Sequence, residues 1–355
     1  MKIAFLLYGI PQNGGVKVVF RIGNLLQARG LEVTNYVAET RRELPFPTSC
    51  EFVFAPKHYP NALGRIAWLA GVTIGADVAI ATAHPTALAL HLNHLFQGRK
   101  LYYVQAYEPD FYSDSILHLV RRWPMMLVAA TSYLLPLEKI VNCAGSMRGL
   151  TAGDRTRVAE IPPGIDLGLY RPRPHPNQGL IVGHISRREA WKGSRHFFRA
   201  MTKLRARGHK FRVRIAYDLC EETNGFEYES VHPRNEAELA EYYAGLDVLV
   251  STVTQKGFGY PPLEAMASGA LCVATPMDFG LPGVDHIPIL ANSSESICEA
   301  MEKVFALRDR TPFLRAGSQT ASQYGWERIA DQWSALLSDE SLRTVQTHAA
   351  TVPAL

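Results

Sequence analysis

The segment Gly257-Phe-Gly-Tyr-Pro-Pro-Leu-Glu264-Ala-Met-Ala-Ser-Gly269 gathers the residue types that hold a phosphate. It follows Asp247-Val-Leu-Val-Ser251, an apolar run that reads as a buried strand. Gly257 and Gly259 let an anion approach the backbone closely. Pro261 and Pro262 suit the first turn of a helix, where N–H groups lack an intrahelical partner. The remaining free amides there, with the positive end of the helix dipole, form an anion site. Glu264 falls in the first turn, where a carboxylate accepts hydrogen bonds from a ribose diol. By this chemistry the segment is a nucleotide site at the carboxyl end of a strand. A helix capped by its own Glu264, with glycines serving only the turn, is an equally good local reading.

The elements that would position such a site recur along the chain. In the first half the candidate strands are 2–8, 33–38, 77–82, 101–105 and 139–143. They are apolar on both faces, as parallel strands covered by helices must be. Between the first two, Val16, Val19, Phe20, Gly23 and Leu26 mark a helix that stops at Gly30. The second half repeats the scheme, with strands at 180–185, 212–216, 248–251, 271–274 and 287–290. Alternation of β and α predicts an α/β fold with two doubly wound parallel sheets. The Pro-rich stretch around residues 165–178 separates them. The expected organisation is an N-terminal domain over 1–165 and a C-terminal domain over 166–325. A final helix over 326–340 is expected to cross back to the first domain. A flexible polar tail over 341–355 completes the expectation.

At 355 residues the length fits two domains, and the net charge of +4 is far from that of a nucleic-acid binder. The positive excess lies before about residue 170, so the first domain could face an anionic acceptor or a membrane surface. Cys50, Cys143, Cys220, Cys272 and Cys298 show no metal-ligand spacing and are expected as buried thiols of a reducing compartment. The N-terminal MKIAFLLYGIP run lacks a cleavage-like site and reads as a first strand. The apolar run Met125–Leu135 is too short to span a bilayer. It is expected as a buried helix, although Arg121 and Arg122 before it allow a membrane contact. No Asp-x-Asp pair is present to hold a cation against a diphosphate, so no metal and no cofactor are expected.

The chain resembles the family-4 retaining glycosyltransferases, whose GT-B architecture sets two Rossmann-like domains on either side of a deep cleft. The 257–269 segment looks like that family's donor-binding motif. Gly14-Gly15 after the first strand is similar to its glycine loop. Glu160-Ile-Pro-Pro-Gly-Ile-Asp166 and Tyr170-Arg-Pro172 resemble its linker. Val182-Gly183 and Lys192-Gly193-Ser194 resemble its diphosphate strand and loop. Glu238-Leu-Ala-Glu-Tyr-Tyr-Ala-Gly-Leu-Asp247 matches the helix that leads to the donor loop. The resemblance implies that Glu264 holds the ribose and that Lys192 neutralises the departing diphosphate, where negative charge builds up. It assigns Gly14, Gly15, His184, Lys256, Gly257, Phe258, Gly259, Tyr260, Pro261 and Leu263 to the donor.

Three departures matter. Lys256 stands where the family usually has a Glu, eight positions before Glu264, and a cation accepts no hydrogen bond from a sugar hydroxyl. His184 stands where the family has a phosphate-binding Arg, for which Arg187 or Arg188 is the candidate substitute. The family's acceptor-side His motif is replaced by Tyr102-Tyr-Val-Gln-Ala-Tyr-Glu108-Pro-Asp-Phe-Tyr112. That run resembles a rhamnan-synthesis subgroup using dTDP-L-rhamnose, which implies a 6-deoxysugar donor. Gln105, Tyr107 and His84 are then acceptor-side candidates. Glu108 is a candidate base or orienting group, or a carboxylate in a surface ion pair. A lone histidine such as His84 also serves commonly as a core residue.

The resemblance implies transfer with retention to a hydroxyl of a glycan, lipid-linked intermediate or secondary metabolite. In that implied mechanism the departing phosphate oxygen itself receives the proton. The expected location is cytoplasmic, with peripheral contact at the inner membrane face allowed. No oligomeric state is implied. Competing readings are a nucleotide-sugar epimerase or phosphorylase of the same architecture, and a non-catalytic partner that keeps the fold.

Overall fold

A computed structural model describes residues 1–40, 43–59, 61–112, 116–150, 158–174, 179–186, 188, 192–219, 226–252, 258–277 and 279–338. The chain divides into two compact units, one formed by Met1–Pro163 with the segment from Glu327 onward, the other by Gly164–Trp326.

The first unit holds seven strands: β1 (Lys2–Leu7), β2 (Glu32–Val37), β3 (Glu51–Phe54), β4 (Val78–Ala81), β5 (Arg99–Val104), β6 (Glu138–Val141) and β7 (Ala159–Glu160). They pair in the order β3-β2-β1-β4-β5-β6-β7, and every pairing is parallel. All four residues of β4 are buried, as a strand covered on both faces requires. Helices α1 (Gly14–Ala28), α2 (Ala62–Gly71), α3 (His84–Leu92) and α4 (Ile116–Ser132) connect the strands. Asn13 starts α1 by accepting a hydrogen bond from the Val16 amide, and Asn61 starts α2 the same way at Gly64. Gly30, at φ +82°, closes the turn after α1.

The second unit holds β8 (Ile181–Ile185), β9 (Arg212–Ala216), β10 (Glu229–Val231), β11 (Val248–Ser251), β12 (Leu271–Ala274) and β13 (His286–Pro288). Their order is β10-β9-β8-β11-β12-β13, again all parallel. Helices α5 (Ser194–Ala206), α6 (Glu236–Ala244), α7 (Tyr260–Ala267), α8 (Ser294–Ala306) and α9 (Thr311–Ser322) cover the faces. Phe197, Phe198, Met201 and Leu204 of α5 pack with Ile297 and Met301 of α8 over Val182, Val213, Val248 and Val273. Both sheets thus match the doubly wound expectation.

The last helix, α10 (Trp326–Ser338), belongs to the first unit from Glu327 on. Trp333 is fully buried edge-on against Phe5 and Tyr103, with ring centroids at 6.4 and 5.1 Å. Arg29 pairs with Glu327 and Asp331, and Arg99 donates to the Leu336 carbonyl.

Three sequence expectations change. Strands β3 and β10 were not foreseen: both are short edge strands, and each is only partly buried or exposed. The last strand stops at Pro288, and Leu290 is exposed. The run Met125–Leu135, expected to be buried, lies mostly within α4 and exposes Met125, Leu127, Val128 and Leu134. The helix turns the smaller Ala129 and Ser132 inward instead, together with Tyr133 just past its end. The expected tail 341–355 lies outside the described residues. Cys50, Cys143, Cys272 and Cys298 are buried free thiols; Cys220 lies outside the described residues.

Candidate functional site

In the second unit the strand order reverses between β8 and β11. Such a switch point opens a crevice at the carboxyl ends of the strands. A cavity of about 380 Å³, open mouth included, lies there, lined by His184, Lys192, Ser251, Thr252 and Pro261 among others. The loop from β8 to α5 is shaped by Gly193 at φ +71°. A Cβ on Gly193 would stand 2.6 Å from both Thr252 Oγ1 and Asn292 Oδ1, so only glycine fits. Thr252 Oγ1 donates to the Lys192 carbonyl at 2.6 Å, which ties this loop to the end of β11.

His184 lines the cavity, but its ring is engaged by the protein. Nδ1 lies 2.8 Å from the Val250 carbonyl and must carry the proton there. Nε2 is then the acceptor for the Ser194 hydroxyl, at 3.0 Å. The ring also stacks on Phe197 at 4.4 Å. The His184 side chain thus holds Ser194 at the start of α5. Arg188 is exposed; Arg187, Lys256 and Gly257 lie outside the described residues.

Gly259, at φ +82°, precedes α7, whose first residues are Tyr260, Pro261 and Pro262. Glu264 is the fifth residue of α7, past the first turn in which it was expected. Glu264 is 6% exposed. Burial, then the charge of Glu264, pushes the Tyr170 and Tyr243 phenols above their ordinary range, so both stay protonated beside the carboxylate. Phe258 is buried among Phe279, Tyr324 and Tyr260 and anchors the loop ahead of the helix. Leu263 is fully buried, and its side chain belongs to the core.

In the first unit the order reverses between β1 and β4. Gly14 begins α1 beside this point, and a Cβ on it would meet only open space. Gly15 lies against Gln105, whose Oε1 would stand 3.4 Å from an added Cβ. His84 begins α3 after β4, and Glu108 begins the 3-10 turn Glu108–Tyr112 after β5.

Glu108 is 5% exposed, and its carboxylate is held from several sides. It accepts from the His84 amide at 2.9 Å, from His84 Nδ1 at 2.5 Å and from Tyr102 Oη at 2.6 Å. The backbone amide of Glu108 donates to Tyr133 Oη. Burial, then the charge of Glu108, raises the Tyr102 pKa well above its ordinary value and keeps the phenol a donor. The surface-ion-pair reading of Glu108 is therefore excluded. Its oxygens face these internal donors. With Nδ1 facing the carboxylate, Nε2 is the outward nitrogen of His84, 3.3 Å from Tyr112 Oη. Tyr107 stacks on Tyr133 at 5.8 Å and has the Arg148 guanidinium over its ring at 4.8 Å from the centroid.

Sequence reading missed Thr252, Asn292, Tyr170 and Tyr243 around the second site, and Tyr102, Tyr112 and Tyr133 as partners of Glu108 and His84. The Tyr-rich run 102–112 was the available signal. Among the described residues no group of three or more His, Cys, Asp or Glu could hold a metal ion.

Residues 177–306, most of the second unit, match the family model for glycosyl transferases group 1. No curated protein matches the chain at a significant level. Among solved structures the chain is similar to a sucrose-phosphate synthase from Thermosynechococcus elongatus, with a TM-score of 0.74 at 18% identity, over 95% of this chain and 98% of that one. It is also similar to the Anabaena protein HepE, solved in complex with UDP, with a TM-score of 0.73 at 17% identity, over 95% and 100%. A third is WaaG, a glycosyltransferase involved in lipopolysaccharide biosynthesis, with a TM-score of 0.67 at 16% identity, over 95% and 99%. These likenesses establish the fold, two parallel-sheet α/β units of GT-B type. The family match over the second unit supports a glycosyltransferase.

Proposed function

We propose that this chain, whose second unit matches the group 1 glycosyl transferases, moves a sugar from a nucleotide-diphosphate donor to an acceptor hydroxyl. The observation that carries the reading is the cavity at the β8/β11 switch point, bounded by Lys192, the glycine-shaped start of α5 and Pro261 at the start of α7. These supply a cation and backbone amides where the diphosphate of a donor would need both. The complex of HepE with UDP supports a nucleoside diphosphate as the common part of the ligand.

In this reading Lys192 neutralises the leaving diphosphate, and Glu264 holds the ribose, with its carboxylate beside Tyr243. Arg187 or Arg188 assists at the phosphates, and Lys256 faces the sugar. Gly14 and Gly15 let α1 approach the donor. Gln105, Tyr107 and His84 serve the acceptor side, with Glu108 orienting His84. Transfer proceeds with retention, the departing phosphate oxygen taking the acceptor proton, and without a metal or cofactor. A 6-deoxysugar on dTDP is the leading donor, supported by the residues at 102–112 and by Lys256.

The test is a thermal-shift panel of UDP-, dTDP- and GDP-sugars, followed by assay of each binder for slow hydrolysis. Binding with release of the nucleoside diphosphate is expected. Binding without turnover under any acceptor would instead favour the non-catalytic partner, and absence of binding across the panel would sink both readings.

A further inference from the structure

Helix α4 presents its larger apolar side chains to water. Trp123, Leu127, Val128 and Leu134 are 56%, 53%, 36% and 64% exposed, whereas Ala129, Ser132 and Tyr133 face the unit. Positions 123, 127 and 131 recur at helical spacing on α4 and form one stripe, which Leu134, just past the helix end, continues and Met125 and Val128 flank. Thr131 sits on this stripe, but its hydroxyl donates back to the Leu127 and Val128 carbonyls, so its polar atom is engaged by its own helix. Scattered single apolar residues on a surface need no explanation; a contiguous stripe does.

The charge pattern selects the occupant. From Ser115 to Leu137 the sequence contains no Asp or Glu, and its only formal charges are Arg121 and Arg122, directly before Trp123. The excess positive charge of the chain also lies in this half. An apolar stripe bordered by Trp and by cations matches the interface of an anionic bilayer, where acyl chains meet phosphate headgroups. No described helix is long and apolar enough to cross a membrane, so α4 would lie in the surface.

We propose that α4 docks the first unit on an anionic phospholipid surface through the Trp123–Leu134 stripe. The inference does not depend on the identity of the donor.

The full chain is sedimented with vesicles of phosphatidylcholine alone and of phosphatidylcholine with phosphatidylglycerol. Binding to the anionic vesicles is expected, weakening as salt rises. Leu127→Ser with Leu134→Ser should weaken it roughly ten- to hundredfold, since each removes a buried leucine's worth of apolar contact. Arg121→Gln with Arg122→Gln should weaken it less and flatten the salt dependence. Leu127 and Leu134 are exposed, and circular dichroism with the thermal shift by UDP checks that both double variants fold. A wild-type chain that stays in the supernatant with both vesicles would overturn the proposal. So would a Leu-to-Ser variant that sediments like wild type. If light scattering shows a dimer that the Leu-to-Ser variant loses, and no vesicle binding, the stripe is covered by a second copy and the lipid assignment is wrong.

Discussion

At the scale of single residues, the site depends on a few atoms that leave no room for change. Gly193 combines a left-handed backbone with two side chains 2.6 Å from any Cβ. Gly193→Ala is expected to abolish the thermal shift by nucleoside diphosphate while circular dichroism stays that of a folded chain. A variant that keeps the full shift would remove this loop from the donor site. Glu108 raises a different expectation. Its oxygens are hydrogen-bonded to the His84 amide and ring and to the Tyr102 hydroxyl, so it acts on His84 rather than on a ligand. Glu108→Gln should leave nucleotide binding unchanged and lower transfer at saturating acceptor by roughly tenfold or more, as for a lost charge-assisted contact. If the change appears only in stability and not in transfer, Glu108 is purely structural. The sequence named Glu108 and His84 separately. It did not show that they touch, because 24 residues and a strand crossover separate them. His184 shows the converse limit: its position in the motif was legible, but its inward rotamer depends on Phe197, ten or more residues onward in α5.

At the scale of elements, the parallel strands were legible because burial on both faces leaves continuous apolar runs such as Val-Ala-Ile-Ala and Leu-Cys-Val-Ala. Edge strands β3 and β10 lack that signature, and α4 reverses the usual rule that apolar residues point inward. Loops between elements carry their own electrostatics. Asp285 is buried, which alone would raise its pKa, but His286, the Thr320 hydroxyl and the Leu281 amide outweigh burial and hold it below the usual carboxylate range. A depressed carboxylate contributes stability that is present above its unfolded pKa of about 4 and lost as pH falls through the lower folded value. The second unit should therefore lose stability as pH drops below about 4. Asp285→Asn should be less stable than wild type at neutral pH and show a flatter decline through that window, measured by urea unfolding at several pH values. An unchanged slope would mean that Asp285 is not the group responsible.

At the scale of the whole molecule, the chain builds two sheets but does not divide at one point. Trp333, close to the end of the described chain, completes the core of the first unit by packing on Phe5 and Tyr103. Trp333→Ala should therefore destabilise that unit by about 3–5 kcal/mol, the usual cost of removing a buried tryptophan. The donor reading places the nucleotide on the second unit, so the two perturbations should act on different parts of the unfolding curve. A saturating nucleoside diphosphate, at about 100 times its Kd, should stabilise the second unit by about 2.7 kcal/mol. In calorimetry of the wild type and Trp333→Ala, with and without UDP or dTDP, the mutation should lower one transition and the ligand should raise the other. If ligand and mutation move the same transition by comparable amounts, the chain unfolds as one cooperative body. If the ligand raises only the transition that Trp333→Ala lowers, the nucleotide is bound by the first unit and the assignment of Lys192 and Glu264 to the donor fails.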